Sequence, residues 1–181
     1  GLSRASLETP MGIAPFLFLW GLEREGSCIG KRSWAMLITC SECGKKISSE
    51  YRLHLEAYRG RPDVDACIHF HSTFATAYAV AGKAIEPKGD STAIILYGEI
   101  PLCRYGRPRT DAIAADLKKY LPDHDAVLLE NHGAMVVAKD MEAAFASAQI
   151  VEKTAQIEWL VKALGGESCL PDDEIEFLKQ L

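Results

Sequence analysis

The sequence predicts an α/β protein in which an antiparallel or mixed sheet is covered by helices. Three observations carry that expectation. Short apolar runs bounded by turn residues recur at Ala66–His71, Ala93–Tyr97, Ala126–Glu130 and Ala134–Ala138, and runs of this length suit buried strands. Segments with helical spacing of apolar residues lie between and after them. Two of the runs flank the tight turn Asn131-His132-Gly133, and only antiparallel strands can be joined so briefly.

Taken in order, residues 1–43 give the weakest patterns. Met11–Leu22 is apolar and follows a lone Arg4. It has a weak basic region and no clean small-x-small site, so it reads as a packed N-terminal segment rather than a signal peptide. Trp34–Thr39 is expected to be a strand. Ser48-Ser49-Glu50 opens a helix to about Tyr58, because serine caps helix starts and an acid suits the positive end of the dipole. Arg61-Pro62-Asp63 ends it, since the residue before proline is pushed out of the helical region. Ala66–His71 follows as a strand, and Thr73–Ala81 as a helix stopped by Gly82. Ala93–Tyr97 reads as a short strand, and Gly98-Glu99-Ile100-Pro101 turns the chain. Thr110–Tyr120 reads as one amphipathic helix with Ile113, Leu117 and Tyr120 on a face. Two strands then surround the His132 turn. Met141–Leu164 is a long helix with Phe145, Ala148, Val151 and Ala155 near helical spacing, ended by Gly165-Gly166. Asp172–Gln180 closes as a short helix. No repeats are present, and residues 1–181 are expected to form a single domain with an atypical stretch at 1–43.

Composition narrows the function. The chain has 181 residues, 48% hydrophobic and 25% charged, enough for one sizeable core. A net charge of −5 with no basic stripe argues against nucleic-acid binding. No apolar span is long enough for a transmembrane helix. The six cysteines, at positions 28, 40, 43, 67, 103 and 169, are scattered, and a chain this long and apolar does not need disulfide staples, so they are expected to be reduced thiols in a cytoplasmic protein. Cys40-Ser41-Glu42-Cys43 lacks the second pair that a structural zinc site requires.

The chemistry concentrates on histidine. His69 and His71 are two apart in a strand and share one face. Two imidazoles do not hold zinc, and a third ligand is needed. His132, at a strand end beside Gly133, is the natural third, because glycine frees the backbone to turn and lets a ligand come close. Three histidines with an open position match catalytic rather than structural zinc, and an open zinc polarises carbonyls and stabilises adjacent oxyanions. The competing reading is that these are core histidines. Against it, burying two imidazoles on one face without partners would cost about a few kcal/mol. Glu50 is a candidate general base beside serine hydroxyls and helix-start amides suited to phosphate, or simply an acid in a first turn. His54, one turn later, reads as packing or support behind the site, and His124 as an exposed loop residue. Arg104, Tyr97 and Tyr105 are substrate-binding candidates or, for the tyrosines, core residues.

Ser48-Ser49-Glu50, Arg61-Pro62-Asp63, His69-x-His71, Gly98-x-Ile100-Pro101 and Asn131-His132-Gly133 before a long helix, in this order over about residues 44–180, resemble the class II aldolase/adducin family. The resemblance implies a three-layer α/β/α fold around a mostly antiparallel sheet and a cyclic homotetramer with active sites at subunit interfaces. It implies zinc, or another divalent metal, on His69, His71 and His132, with Glu50 as the acid/base. Ser48 and Ser49 match phosphate-binding serines, and Ser41 matches a phosphate-contacting position. The implied reaction is reversible cleavage of a ketose 1-phosphate to dihydroxyacetone phosphate and an aldehyde, through a metal-stabilised enediolate. The family's pentulose-phosphate 4-epimerases carry aspartate where Glu50 stands, whereas Tyr97-Gly98-Glu99-Ile100-Pro101 resembles the epimerase version of that turn. A non-catalytic assembly module on the same fold is the third reading, although adducin-type heads lack the histidines. The chain departs from the family pattern upstream: no glycine-asparagine-x-serine motif occurs in residues 1–43, Glu42 stands where a glycine is usual, and no tyrosine follows Tyr120.

Overall fold

The computed structural model describes residues 20–23, 50–166 and 168–181. The expected strand at Trp34–Thr39, the Cys40/Cys43 pair and the phosphate-site candidates Ser41, Ser48 and Ser49 lie outside the described residues, as does most of the Met11–Leu22 segment.

The described strands form one five-stranded sheet in the order β1-β2-β5-β4-β3, built from Trp20–Glu23 (β1), Ala66–Phe70 (β2), Leu102–Cys103 (β3), Ala126–Leu129 (β4) and Gly133–Ala138 (β5). Only the β3–β4 pair is parallel, and the others are antiparallel. The strand at Trp20–Glu23 was not anticipated; it pairs with β2, opposing Trp20 to His69.

Alternation along the strands divides the core in two. Ala66, Ile68 and Phe70 of β2 face the helices Thr73–Val80 (α2) and Met141–Ala163 (α5), packing with Tyr78, Ala79, Ala144, Ala148, Val151 and Ala155. Cys67 on the opposite face packs with Leu53 and Ala57 of Tyr51–Gly60 (α1) and with Ile113 and Leu117. The sheet is thus the middle of three layers. Each large side chain removed from water here, such as Phe70 or Leu53, contributes about 1.5–3 kcal/mol. The small-residue stripe of α5 lets that helix lie close against the sheet.

Leu102–Cys103 was likewise unassigned, and two segments that the sequence does assign take another form. Ser91–Tyr97 is a helix (α3), not a strand. A short apolar run does not by itself distinguish the two, and here local chemistry decides. The Asp90 side chain accepts hydrogen bonds from the Thr92 and Ala93 amides at 3.0 and 3.3 Å. Gly98, at φ 61°, then receives the helix end in a conformation that favours glycine. Ala93 and Ile94 are buried while Ile95 and Leu96 are exposed, which is not the alternation of a strand. The second difference is at Thr110–Tyr120, which is a 3-10 turn, Asp111–Ala114, followed by a separate short helix, Leu117–Tyr120 (α4). The Asp116 carboxylate at the break accepts from the Arg104 amide at 2.9 Å, so a tertiary bond falls at the restart. Ile113 and Leu117 are nonetheless buried, because the apolar spacing survives the break. The chain ends in Asp172–Leu178 (α6).

The hairpin between β4 and β5 positions the site. Asn131, not Gly133, takes the left-handed conformation, at φ 55°, which asparagine tolerates better than most residues. Gly133 is required for space: a Cβ there would lie 2.5 Å from the Phe70 carbonyl oxygen and 3.4 Å from the His71 ring. Arg61, at the end of α1, pairs locally with Asp63 and ties that helix to the loop before β4 through Asp125, each at 2.7 Å. Its Nη1 also donates to the Leu121 carbonyl at 3.2 Å.

Removing the α3 cap with Asp90→Ala is expected to cost about 1 kcal/mol, read as a lower midpoint in denaturant unfolding; an unchanged midpoint would contradict the capping role. Gly133→Ala is expected to cost about 1–3 kcal/mol, because the new methyl meets backbone rather than a flexible side chain. Thermal unfolding of that variant, compared with an alanine at the uncrowded Gly60, checks this.

Candidate metal centre

Three imidazoles and one carboxylate converge at one end of the sheet. His69 projects from β2 toward the α1 layer, and His71 follows it just past the strand end. His132 comes from the β4–β5 turn, whose Asn131 amide is held by the Ala79 carbonyl at 3.1 Å. Glu50 immediately precedes α1. It stands at the N-cap position, but its side chain makes no capping hydrogen bond and turns to the histidines instead. Glu50 Oε2 lies 2.7 Å from His132 Nε2 and 2.8 Å from His69 Nε2. His71 Nε2 lies 2.9 Å from His69 Nε2. One ligand atom from each of the four residues falls within 4.8 Å of the others. The rings of His69 and His132 stack at 4.9 Å, and His71 sits edge-on to both.

His69 Nδ1–H donates to the Ala134 carbonyl at 2.9 Å, because a carbonyl oxygen can only accept. In neutral His69 the Nε2 therefore carries a lone pair, aimed at the Glu50 carboxylate and at His71. At 2.8 Å the His69 lone pair and the Glu50 carboxylate repel unless a proton or a metal cation lies between them. An imidazolium that is 2% exposed is costly; a divalent cation meets the same demand with the donor set typical of zinc. The Nδ1–carbonyl bond is also the outer contact that fixes the orientation of metal-binding histidines. The four residues fit a metal ion on these grounds.

The electrostatics agree in direction. Burial by itself raises the Glu50 pKa, but the neighbouring imidazoles, His132 foremost, outweigh it and hold the carboxyl well below its usual range. His71 is pushed down to about 4, first by burial and then by its neighbours His69 and His132. Glu50 is thus a carboxylate and His71 a neutral imidazole near pH 7, the forms that bind metals.

Behind the cluster, His54 on α1 is fully buried, with Nδ1 2.9 Å from Cys67 Sγ. Its Nε2 has no hydrogen-bond partner among the described residues. Burial, and then His69, push its pKa down to about 3, so it stays neutral. Among the described residues Cys103 and Cys169 form no disulfide, and burial pushes the Cys103 thiol up to about 12. His124 is half-buried, not exposed as expected, with Nδ1 2.9 Å from the Tyr120 carbonyl. Tyr97 is half-buried and donates to the Ser147 carbonyl at 3.2 Å; Tyr105 and Arg104 are exposed. Sequence reasoning missed Glu152 of α5, which binds Ser72 beside His71. No local pattern could reveal a contact between residues 80 positions apart.

Comparison with known proteins places the chain. A family model for the class II aldolase and adducin N-terminal domain matches residues 29–159. A 5-deoxy-D-ribulose 1-phosphate aldolase of Bacillus thuringiensis is 36% identical over 74% of this chain and 62% of its own length. A 3-oxo-tetronate 4-phosphate decarboxylase of Pectobacterium atrosepticum is 32% identical over 75% of this chain and 66% of its own. A solved L-fuculose 1-phosphate aldolase superposes with a TM-score of 0.69 at 33% identity, covering 76% of this chain and 65% of that one. The chain thus spans a little under two thirds of the length of these proteins. By the extent of the family match and these identities, the chain belongs to the class II aldolase and adducin family.

Proposed function

We propose that this chain is the catalytic part of a class II, metal-dependent aldehyde-lyase that reversibly cleaves a ketose 1-phosphate to dihydroxyacetone phosphate and an aldehyde. The observation that carries the reading is the convergence of Glu50 with His69, His71 and His132 within 4.8 Å. Similarity to a 5-deoxy-D-ribulose 1-phosphate aldolase and an L-fuculose 1-phosphate aldolase supports the substrate class.

In this reading His69, His71 and His132 hold zinc or another divalent ion, since three imidazoles do not strictly select zinc. When bound, the ion supplies Lewis-acid polarisation of the substrate carbonyl and stabilises the adjacent developing negative charge. Cleavage breaks the C3–C4 bond, sends its electron pair toward the C2 carbonyl, releases the C4 hydroxyl proton to a base and returns a proton to C3. Glu50 is assigned the proton transfer at C3, for which its ionised state suits the synthetic direction. Ser48 and Ser49, adjoining Glu50 in sequence, and Ser41 are assigned to the substrate phosphate. A homotetramer with interface active sites completes the proposal by family resemblance.

A second reading is favoured by the similarity to a 3-oxo-tetronate 4-phosphate decarboxylase. Loss of carbon dioxide from a 3-oxo acid also leaves an electron pair on carbon beside a carbonyl, so the same constellation serves it. Glu50 would then protonate that carbon.

Metal quantification on the purified protein, with product analysis over ketose 1-phosphates, pentulose phosphates and 3-oxo sugar-acid phosphates, tests these readings together. About one divalent ion per chain and release of a triose phosphate are expected. Carbon dioxide release instead would establish the decarboxylase, and a new epimer would establish a pentulose-phosphate 4-epimerase. Absence of both metal and turnover would favour a non-catalytic assembly module. Glu50→Gln is expected to keep metal and lose about 10²–10⁴-fold in turnover; full activity in that variant would remove Glu50 from the chemistry.

A further inference from the structure

His69 and His71 are held in different ways. His69 is buried, and its Nδ1 is pinned by the Ala134 carbonyl. His71 is only partly buried, and among the described residues its ring makes no hydrogen bond beyond the one at Nε2. A metal-binding histidine normally has an outer partner on its second nitrogen. Something other than an outer ring hydrogen bond must therefore orient His71, and two features of its surroundings are placed to do so. The ring lies beside Gly133, so close that a Cβ there would be 3.4 Å from its Cγ and Cδ2 atoms. The residue after it, Ser72, is bolted down from another layer.

Ser72 is the N-cap residue of α2, and its hydroxyl would ordinarily accept a hydrogen bond from the first turn of the helix. Here it makes no such bond. The hydroxyl instead donates to Glu152 Oε2 at 2.6 Å. The same carboxylate accepts the Phe74 amide, at 2.9 Å on Oε1 and 3.1 Å on Oε2, and the Ala75 amide at 2.9 Å on Oε2. Glu152 thus takes over the capping role from α5, some 80 residues away in sequence. A carboxylate at a helix N-terminus is favoured both by the free amides and by the dipole, and charge-assisted bonds of this kind are the stronger ones. Ser72 is 1% exposed, so its hydroxyl has no easy recourse to water if the acceptor is removed.

We propose that Glu152, which contributes no ligand atom to the cluster, is the positioning residue for His71, fixing the ligand by clamping the Ser72–Ala75 backbone that follows it. Glutamine cannot replace it fully. Its NH₂ group donates where the carboxylate accepts, so at most one of the two oxygens is conserved. The proposal rests on the reading of the histidines as metal ligands, and the experiment separates the two.

Zinc affinity is measured by competition with a chromophoric chelator on the full chain, alongside the visible absorption of the cobalt(II)-loaded protein, which reports ligand geometry. Glu152→Gln is expected to raise the zinc dissociation constant about 10–100-fold, the range for lost outer contacts at metal sites, and to alter the cobalt spectrum. Asp140→Ala is the control. It removes another carboxylate helix cap, which accepts the Ala143 amide at 2.7 Å at the start of α5, and is expected to lower the thermal midpoint with the dissociation constant unchanged. Should Glu152→Gln fail to fold, Ser72→Ala, which removes the 2.6 Å bond alone, takes its place with an expected change of severalfold. Unchanged affinity in the clamp variant, or an equal loss in Asp140→Ala, would overturn the proposal. If the wild-type chain binds no divalent ion, the metal reading itself fails, and that result is visible before any variant is made.

Discussion

The antiparallel pairing of β2 with β5 is the constraint on which the site depends. Its register opposes Phe70 to Ala134 and His69 to Met135, so the end of β2 and the start of β5 meet at one edge. His69 and His71 leave that edge from one side and His132 enters it from the other. The same pairing puts the Ala134 carbonyl within reach of His69 Nδ1, although these residues are 65 positions apart. A slip of one residue would turn His69 into the opposite core, where Ile68 and Phe70 pack against α2 and α5. Burial on both faces resists such a slip, because apolar and polar side chains would exchange places together.

The helices convert this edge into a centre. The start of α1 delivers Glu50 across 82 residues to His132, and one turn later His54 seals the floor against Cys67. The carboxylate is held ionised although burial opposes it, because the imidazoles at 2.7 and 2.8 Å act more strongly. On the other face of the sheet, α2 begins two residues after His71, beyond its N-cap Ser72, and is capped by a carboxylate from α5. Both outer layers therefore reach the same few atoms. The two cores of the sandwich are coupled at the site rather than independent of it.

The elements that the sequence misrepresents share a physical cause. Ala93–Tyr97 is apolar enough for a strand, and its helical state depends on the Asp90 carboxylate and the backbone freedom of Gly98, single groups outside the run. Thr110–Tyr120 has a true helical stripe, yet the chain breaks at Ala115-Asp116, where Asp116 bonds to the Arg104 amide. The glycine beside His132 was expected to make the turn; Asn131 makes it, and Gly133 is needed because the Phe70 carbonyl and the His71 ring come too close for a Cβ.

The sequence by itself determined the periodic elements, α1, β2, α2, the β4–β5 hairpin and α5, because apolar spacing and turn residues are local properties. It also determined that His69 and His71 share a face, since alternation along a strand is geometry of the chain alone, and the family motifs drew Glu50 and His132 to them. The tertiary structure decided what depends on distance between segments. It set the strand order, with the unanticipated β1 at one edge and the short parallel β3 at the other. It brought four ligand atoms from three segments into one cluster and set the tautomer of His69 through the Ala134 carbonyl. It also placed Glu152 beneath the ligand loop. A side chain's neighbours along the chain are written in the sequence; its neighbours across a sheet or between layers exist only once the core has chosen a register.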